Sequence, residues 1–353
     1  MTDGSPVSSD RSAGTPRLTE YADLHGCSCK VGQADLEALL ADAGLGPEAA
    51  GGERDDLLFG VGEDAAARQL APDLALVQTI DFFTPIVDDP YDFGRVAACN
   101  AASDAFATGA TENLSFLAVL GLPREVTGVA ADVLAGMQAL ASRVDGVVAG
   151  GHTTLNPWPL AGGAVTATAA PEDLLTSRGT GPGDRLLLTK PLGTQPAMGA
   201  LRVRDGEFGE AVTAAAARPV EDVGAAALDW MTTPNRAAAE AARGIASAAT
   251  DVTGFGLLGQ ARRLAANSGV GVEITDLPVI EGTPPLSDLF GYGLETGESA
   301  ETSGGLLVAV PPENARAFED HLDETGVFSR RVGTVTDGTG ARLVDPTIDP
   351  VTR

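Results

Sequence analysis

The chain has 353 residues, enough for about two domains, and its 44% hydrophobic content is typical of a globular protein rather than a disordered one. Its net charge of −26 at pH 7 disfavours binding to the phosphates of nucleic acids or to anionic lipids. It contains no apolar run of about 18 residues, so we expect no membrane-spanning helix.

The excess of acid is a feature of the whole chain. Aspartate and glutamate number 49 against 23 lysines and arginines, and lysine occurs only at positions 30 and 190. A GC-rich genome favours arginine over lysine and explains the scarcity of lysine, but it does not explain the acid. A salty cytoplasm screens charges that would otherwise repel one another. The composition therefore predicts a halophilic protein.

The amino terminus and the cysteines indicate where the protein works. Residues 1–17 are polar and lack the apolar core of a secretory signal, so we expect a flexible tail there. Three unevenly placed cysteines do not make a disulfide framework. These two features predict a cytoplasmic location.

The first half of the chain alternates predicted helices and strands. A helix over 35–43 carries an apolar face of Leu36, Leu39 and Leu40, and polar or glycine-rich loops follow at 51–56 and 60–67. The elements after these loops are a buried strand over 74–81, a helix over 92–108 that Gly109 ends, a strand over 114–122, a helix over 125–144, and strands over 146–151 and 162–170.

A turn at 180–184 separates this half from the second. The second half has a strand and loop over 185–193, alanine-rich helices over 195–244, a strand–turn–helix unit over 247–269, a strand over 305–310, a helix over 313–326 and a strand over 330–338. This order predicts an α+β protein with two domains, 18–172 and 180–345.

The stretch CSCK places two of the three cysteines beside one of the two lysines. A C-x-C pair cannot complete a four-ligand zinc site in a chain with only three histidines. A cation beside a thiol lowers its pKa, so Lys30 would favour a nucleophilic thiolate at Cys27 or Cys29. The alternative is a pair of incidental thiols on a flexible loop.

Several carboxylates stand where a metal–phosphate site would need them. Asp64 lies in a glycine-rich loop, and Asp81 ends a buried strand. Asn100 and Asp104 share one face of an otherwise apolar helix, where an unpaired carboxylate is unfavourable. Oxygen ligands of this kind suit Mg²⁺, with substrate phosphates completing its shell. The alternative is a solvated helix face with two chance polar residues.

Two glycine-rich stretches could approach a phosphate closely. In 250-TDVTGFGLLG-259, Asp251 follows a short strand, and Gly254, Gly256 and Gly259 lie near a helix start, where the backbone N–H groups favour an anion. The stretch 150-GGHTT-154 is a weaker signal, since its histidine could be an ordinary hydrogen-bonded loop residue.

Taken together, the motifs form one series along the chain. Their order is CSCK, EDAA, TIDFFTPIVDDPYDFGRVAACNAASDAFATGA, AGGHTT, LTKPLG, TDVTGFGLLG and TSGGLLVAV. This series closely resembles the selenophosphate synthetase (selenide, water dikinase) family from Leu18 to about Val335. The longest motifs, DFFTPIVDDPYDFGR and TDVTGFGLLG, are the most specific.

The resemblance implies a fold and a reaction. The family belongs to the aminoimidazole-ribonucleotide synthetase superfamily, with two α+β domains of mixed sheets covered by helices, and it forms homodimers through its amino-terminal sheets. Its members convert ATP, selenide and water to selenophosphate, orthophosphate and AMP, with Mg²⁺ as cofactor.

The resemblance also assigns roles to individual residues of this chain. The family's catalytic cysteine and lysine fall on Cys27 and Lys30. Its magnesium ligands fall on Asp64, Asp104 and Asp251. Its nucleotide contacts fall on Lys30, Glu63, Asp81, Asp104, Gly151, His152 and Thr153. The last three are expected to form a turn. Lys30 would neutralise phosphate charge, and Cys27 would orient the selenium donor.

Two departures and two rival functions accompany the resemblance. Val61-Gly62-Glu63 replaces the family's usual Thr-Arg-Asp, so an arginine contact is lost, and the region 278–301 looks shortened. One rival is another ATP-using enzyme of the superfamily, such as a thiamine-monophosphate kinase or an amidine-cyclising synthetase, both of which lack CSCK. The other is a non-catalytic protein that carries selenium or a metal.

Overall fold

The computed structural model of the chain describes residues 16–46 and 55–352. The predicted tail over 1–17 lies outside the described residues except for its last two positions. The described chain forms two six-stranded mixed sheets, each with helices packed against it, so the predicted α+β class is confirmed. Among the described helices, none combines the length and the hydrophobicity that crossing a bilayer requires.

The first sheet has the strand order β1-β2-β3-β6-β4-β5, and in it β4 and β5 run parallel while the other neighbours are antiparallel. Its strands are β1 Leu57–Phe59, β2 Ala66–Ala71, β3 Leu74–Phe83, β4 Glu112–Leu122, β5 Val147–Leu155 and β6 Leu160–Ala169. Helices α2 (Pro90–Ala107) and α3 (Ala130–Arg143) cover one face of this sheet. Helix α1 (Gln33–Asp42) precedes it.

Helices α2 and α3 cross at two glycines. A Cβ added to Gly94 would lie 1.9 Å from the carbonyl oxygen of Val133, and a Cβ added to Gly136 would lie 1.9 Å from that of Tyr91. No side chain can occupy such a gap, so the two backbones touch directly. This close approach packs α2 and α3 tightly against each other.

The second sheet has the order β12-β9-β11-β7-β10-β8, with β12 parallel to β9. Its strands are β7 Arg185–Leu188, β8 Ala248–Asp251, β9 Gly271–Ile280, β10 Leu306–Val310, β11 Arg330–Thr336 and β12 Gly340–Val351. The helices of this half are α4 Thr194–Val203, α5 Gly209–Ala215, α6 Val220–Met231, α7 Arg236–Ala242, α8 Gly256–Ser268, α9 Thr283–Phe290 and α10 Pro312–Glu324. The end of β8 packs against α2, and this contact joins the two halves.

Several predicted elements need correction. Helix α1 forms, but Leu36 and Leu39 on its apolar face are exposed and no residue of the helix is buried. The strand predicted over 146–151 continues to residue 155, so the GGHTT stretch is a strand and not the expected turn. Strand β3 continues past Asp81 to Phe83 and alternates between buried and exposed residues, so Asp81 does not end a buried strand. Strands β1, β2, β9 and β12 and helix α9 were not predicted, and β2 begins inside the loop predicted over 60–67.

Candidate active site

Helix α2 and strand β3 meet in two successive polar contacts. Thr79 Oγ1 donates a hydrogen bond to Asp104 Oδ2 at 2.6 Å, and Asn100 Nδ2 donates to Asp81 Oδ2 at 2.7 Å. Residues two apart on a strand and four apart on a helix share a face, so the two periodicities place both pairs side by side. The predicted common face of Asn100 and Asp104 is confirmed.

The CSCK segment lies against this pair of contacts. Lys30 Nζ donates to Asp81 Oδ2 at 2.6 Å, and the Cys27 thiol donates to Asn100 Oδ1 at 3.2 Å. The backbone N–H of Cys27 donates to Thr302 Oγ1 at 3.0 Å, which ties the segment to the second half of the chain. A Cβ on Gly254 would lie 2.9 Å from the Cys27 carbonyl oxygen, so a glycine is needed beneath the segment.

The protonation of Cys27 differs from the prediction. Its side chain is fully buried, and burial raises the pKa of the thiol well above its usual value, outweighing the opposite effect of Lys30. The predicted thiolate is therefore wrong for this arrangement, where Cys27 is a thiol that donates to Asn100. For Lys30, burial opposes the charge, but the negative charges of Asp81 and Asp104 and the hydrogen bond to Asp81 hold its pKa above the ordinary value.

Three predicted metal ligands converge. One carboxylate oxygen from each of Asp64, Asp104 and Asp251 lies within 4.8 Å of the others. Burial, and then the charge of Asp64, raise the pKa of Asp251 to about 6, and burial with the charges of Asp251 and Asp81 raises the pKa of Asp104. Asp251 Oδ2 is buried and has no hydrogen-bond partner. A buried oxygen without a donor, facing two further carboxylates, suits a hard divalent cation.

Asp64 is held by the second half of the chain. Arg263 Nη2, on helix α8, donates to Asp64 Oδ1 at 2.5 Å, and Thr250 Oγ1 approaches the same oxygen at 3.2 Å. Arg263 was not predicted from the sequence, because it stands in the middle of a helix and 199 residues from its partner, where no local pattern marks it.

Glu63 binds the linker between the two sheets. Its carboxylate accepts hydrogen bonds from the backbone N–H and hydroxyl of Ser177, each at 2.7 Å, and from Arg178 Nε at 2.7 Å. The side chain is 1% exposed. In this arrangement Glu63 fastens the glycine-rich loop before β2 to the linker between the two sheets.

The Gly151-His152-Thr153 stretch lies at the far edge of the first sheet. Asp81 pairs with Gly163, Gly163 with Ala118, and Ala118 with Gly151, so β6 and β4 separate the two predicted nucleotide contacts. Three strand spacings amount to about 14 Å. The edge strand β5 is exposed along most of its length. One chain therefore does not bring this stretch to Lys30 and the carboxylates.

Comparisons with known proteins give two family matches. The model of AIR synthase related protein, N-terminal domain, matches residues 62–169, and that of the C-terminal domain matches residues 181–346. The first match contains strands β2 to β6, and the second begins at the turn between the two sheets.

Relatives of nearly the same length share more than a third of their residues with the chain. It is 42% identical over 342 residues to a selenide, water dikinase of Methanococcus maripaludis, covering 92% of this chain and 98% of that one. It is 40% identical over 333 residues to a selenide, water dikinase of Methanocaldococcus jannaschii, covering 90% and 92%.

Solved structures at lower identity share the fold. The thiamine-monophosphate kinase of Stenotrophomonas maltophilia is 24% identical, with a TM-score of 0.63 over 87% of this chain and 96% of that one. The thiamine monophosphate kinase of Aquifex aeolicus is 19% identical, with a TM-score of 0.63 over 91% and 100%. At these identities the likeness extends to the architecture alone.

Proposed function

We propose a reaction for this chain, which belongs to the selenide, water dikinase family. It converts ATP, selenide and water to selenophosphate, orthophosphate and AMP. The site of the reaction is the centre formed by Lys30, Asp81 and the three clustered aspartates. The observation that carries this proposal is the convergence of Asp64, Asp104 and Asp251 on one point beside the Lys30–Asp81 ion pair. A phosphoryl-transfer site needs such a combination, because catalysis there consists mostly of positioning and of stabilising charge on the phosphates.

The three aspartates would hold Mg²⁺. The orphaned oxygen of Asp251 and the raised pKa values of Asp104 and Asp251 support this assignment, because a cation would stabilise the charges of such a cluster. Bound Mg²⁺ neutralises phosphate charge. Thr79 keeps Asp104 turned towards the cluster through its hydrogen bond of 2.6 Å.

Lys30 and Asp81 would serve the nucleotide. Lys30 keeps its positive charge, and its ammonium group stands where phosphates next to the metal cluster would be neutralised. Asp81 fixes that ammonium group and is itself fixed by Asn100. Together these contacts orient a cation before substrate arrives, so little reorganisation accompanies phosphoryl transfer.

Cys27 would orient the selenium donor. Its thiol is soft and lies beside the phosphate-binding residues, but it is fully buried. The CSCK segment must therefore move before selenide can reach the sulfur. The segment is held by the Thr302 and Asn100 hydrogen bonds and by Lys30, so arrival of phosphates at Lys30 would release one of these restraints.

A homodimer would complete the nucleotide site. The face of the first sheet that α2 and α3 leave open carries Ile80, Phe82 and Leu117, each at least 44% exposed. Exposed apolar patches of this kind mark protein interfaces. A second copy seated on this face would also cover the edge strand β5. The Gly151-His152-Thr153 stretch of one chain would then lie near the metal cluster of the other.

The compartment and the salt requirement are also proposals. All three cysteines are free, which suits the reducing cytoplasm. The net charge of −26 suits a cytoplasm with high salt, where screening reduces self-repulsion.

The function is tested by phosphorus NMR of the purified protein with ATP, Mg²⁺ and selenide, in high salt and without oxygen. We expect selenophosphate, AMP and orthophosphate from the wild-type protein. Asp251→Asn should keep the fold and lose magnesium-dependent ATP use, whereas Asp132→Asn on the exposed surface of α3 should behave as wild type. Normal turnover by the Asp251→Asn variant would rule out the metal assignment.

A further inference from the structure

Helix α8 brings a guanidinium group into the carboxylate cluster. Arg263 Nη2 lies 2.5 Å from Asp64 Oδ1, and the two side chains are only 15% and 5% exposed. The neighbouring Arg262 points away, is 53% exposed and approaches Glu298 at 3.5 Å. Two consecutive arginines on one helix therefore occupy opposite environments, and only one of them contacts a predicted metal ligand.

Few structural hydrogen bonds hold Arg263. Its Nε is buried and has no hydrogen-bond partner, and its stabilising contacts are the ion pair with Asp64 and the nearby charges of Asp251 and Glu63. An arginine buried only to stabilise the fold usually satisfies all of its donors, because an unpaired buried donor is unfavourable. The placement instead follows the negative charge of the cluster, where Asp64 lies within 4.8 Å of Asp104 and Asp251.

We propose that Arg263 is a built-in counter-ion of the carboxylate cluster, which neutralises Asp64 in the metal-free protein and competes with a divalent cation for that carboxylate. This inference rests on the proposed metal site. Arg263 is a positioning residue and not a catalytic one, because it acts through Asp64.

The consequence is a link between metal binding and ATP. A fixed positive charge next to a cation site weakens binding of a divalent ion, and the effect is large in a partly desolvated site. Triphosphate brings the negative charge that offsets Arg263. The cluster would thus hold its metal weakly alone and strongly together with ATP, so that metal and nucleotide bind as a unit.

The test measures binding of Mn²⁺, as a paramagnetic substitute for Mg²⁺, to the protein without nucleotide. Free Mn²⁺ is read from its electron paramagnetic resonance signal at fixed high salt. Arg263→Met and Arg263→Gln both remove the charge, and the glutamine keeps a donor for Asp64. We expect each to lower the dissociation constant for Mn²⁺ by about tenfold. Arg263→Lys, which keeps the charge, and the matched control Arg262→Met should bind as wild type.

Two outcomes would overturn the inference. Weaker binding in the neutral variants would mean that Arg263 orients Asp64 as a ligand, and unchanged binding would mean that it has no influence on the site. Asp251→Asn in the same titration tests the metal site separately. If Asp251→Asn loses Mn²⁺ binding while Arg263→Gln binds Mn²⁺ as wild type does, the proposed metal site is supported and only the proposed role of Arg263 is contradicted. If Asp251→Asn binds as wild type, the metal site itself fails.

Folding of the variants is followed by thermal unfolding with a chelator present. Loss of the counter-ion leaves three carboxylates close together without a neighbouring positive charge, so the neutral variants should unfold at a lower temperature than wild type. Addition of Mn²⁺ should raise the unfolding temperature of these variants by more than it raises that of wild type. An equal Mn²⁺ effect on the unfolding temperatures of wild type and variants would contradict the proposal.

Discussion

Cys27 and Lys30 are three residues apart in the sequence, but their environments differ. Lys30 reaches Asp81 with its ammonium group and keeps its charge, whereas Cys27 is buried and remains a thiol. A neighbouring cation lowers a thiol pKa, but complete removal from water raises it further. The roles of the two residues should therefore separate in experiments.

We predict that Lys30→Ala abolishes ATP consumption with or without selenide. Loss of a fixed cation that stabilises phosphate charge typically costs about 10²-fold or more in rate. Cys27→Ser should lose selenophosphate formation and retain slow ATP hydrolysis, because a hydroxyl can still donate to Asn100 but lacks the soft sulfur that would orient the selenium donor. The two activities are measured by phosphorus NMR and by AMP release.

Cys29→Ser is the matched control, since Cys29 lies in the same short turn and is only partly buried. It should change either activity far less. The division of roles fails if Cys27→Ser makes selenophosphate at the wild-type rate, or if Cys29→Ser is the more damaging change.

At the scale of elements, the first sheet uses its two faces for different purposes. Along β3, Asp81 and Phe83 point towards α2 while Ile80 and Phe82 point away, as a strand requires. The inner face therefore carries the site, and the outer face carries apolar residues that no described element covers.

We predict that Leu117→Lys converts a dimer to a monomer. Leu117 lies on the outer face of β4, next to β5, and a buried lysine from each chain would be unfavourable at a symmetric interface. Light scattering in high salt measures the molecular mass. Phe208→Lys, at an exposed apolar residue before α5, is the control and should leave the mass unchanged. A wild-type monomer, or a Leu117→Lys dimer, would contradict the proposed interface.

The acid excess is distributed over the whole molecule. Most of the described ion pairs have at least one exposed side chain, and in pairs such as Arg316 with Asp320 both are exposed and contribute little to stability. Because each ion pair joins one positive and one negative charge, the pairs leave the net charge of −26 unchanged. Its repulsion favours the expanded unfolded chain unless salt screens it.

We predict that the protein unfolds at progressively lower temperatures as salt is reduced from molar concentrations to dilute buffer. The Debye length grows from about 3 Å at 1 M to about 30 Å at 0.01 M, so charges repel over much of the molecule in dilute buffer. Calorimetry of the wild-type protein with KCl and with NaCl measures the effect and separates screening from binding of one particular cation. If the midpoint of thermal unfolding stays constant or rises as the salt concentration falls, the negative charge has a cause other than adaptation to salt.

The sequence by itself determined the local geometry of the site. The shared face of Asn100 and Asp104 follows from the helical period of 3.6 residues, which acts between near neighbours. The glycines at the start of α8 were also predicted from the sequence. The motif series also predicted the family and the α+β class, which the comparisons and the sheets confirm.

Only the tertiary structure decided which distant residues meet and which groups lose water. Cys27 contacts Thr302 across 275 residues, and Asp64 contacts Arg263 across 199. Burial of the Cys27 thiol, the attachment of Glu63 to the linker, and the position of Gly151 at a sheet edge likewise depend on how the two sheets pack. Desolvation and charge pairing depend on distance in space, and periodicity in a sequence does not report that distance.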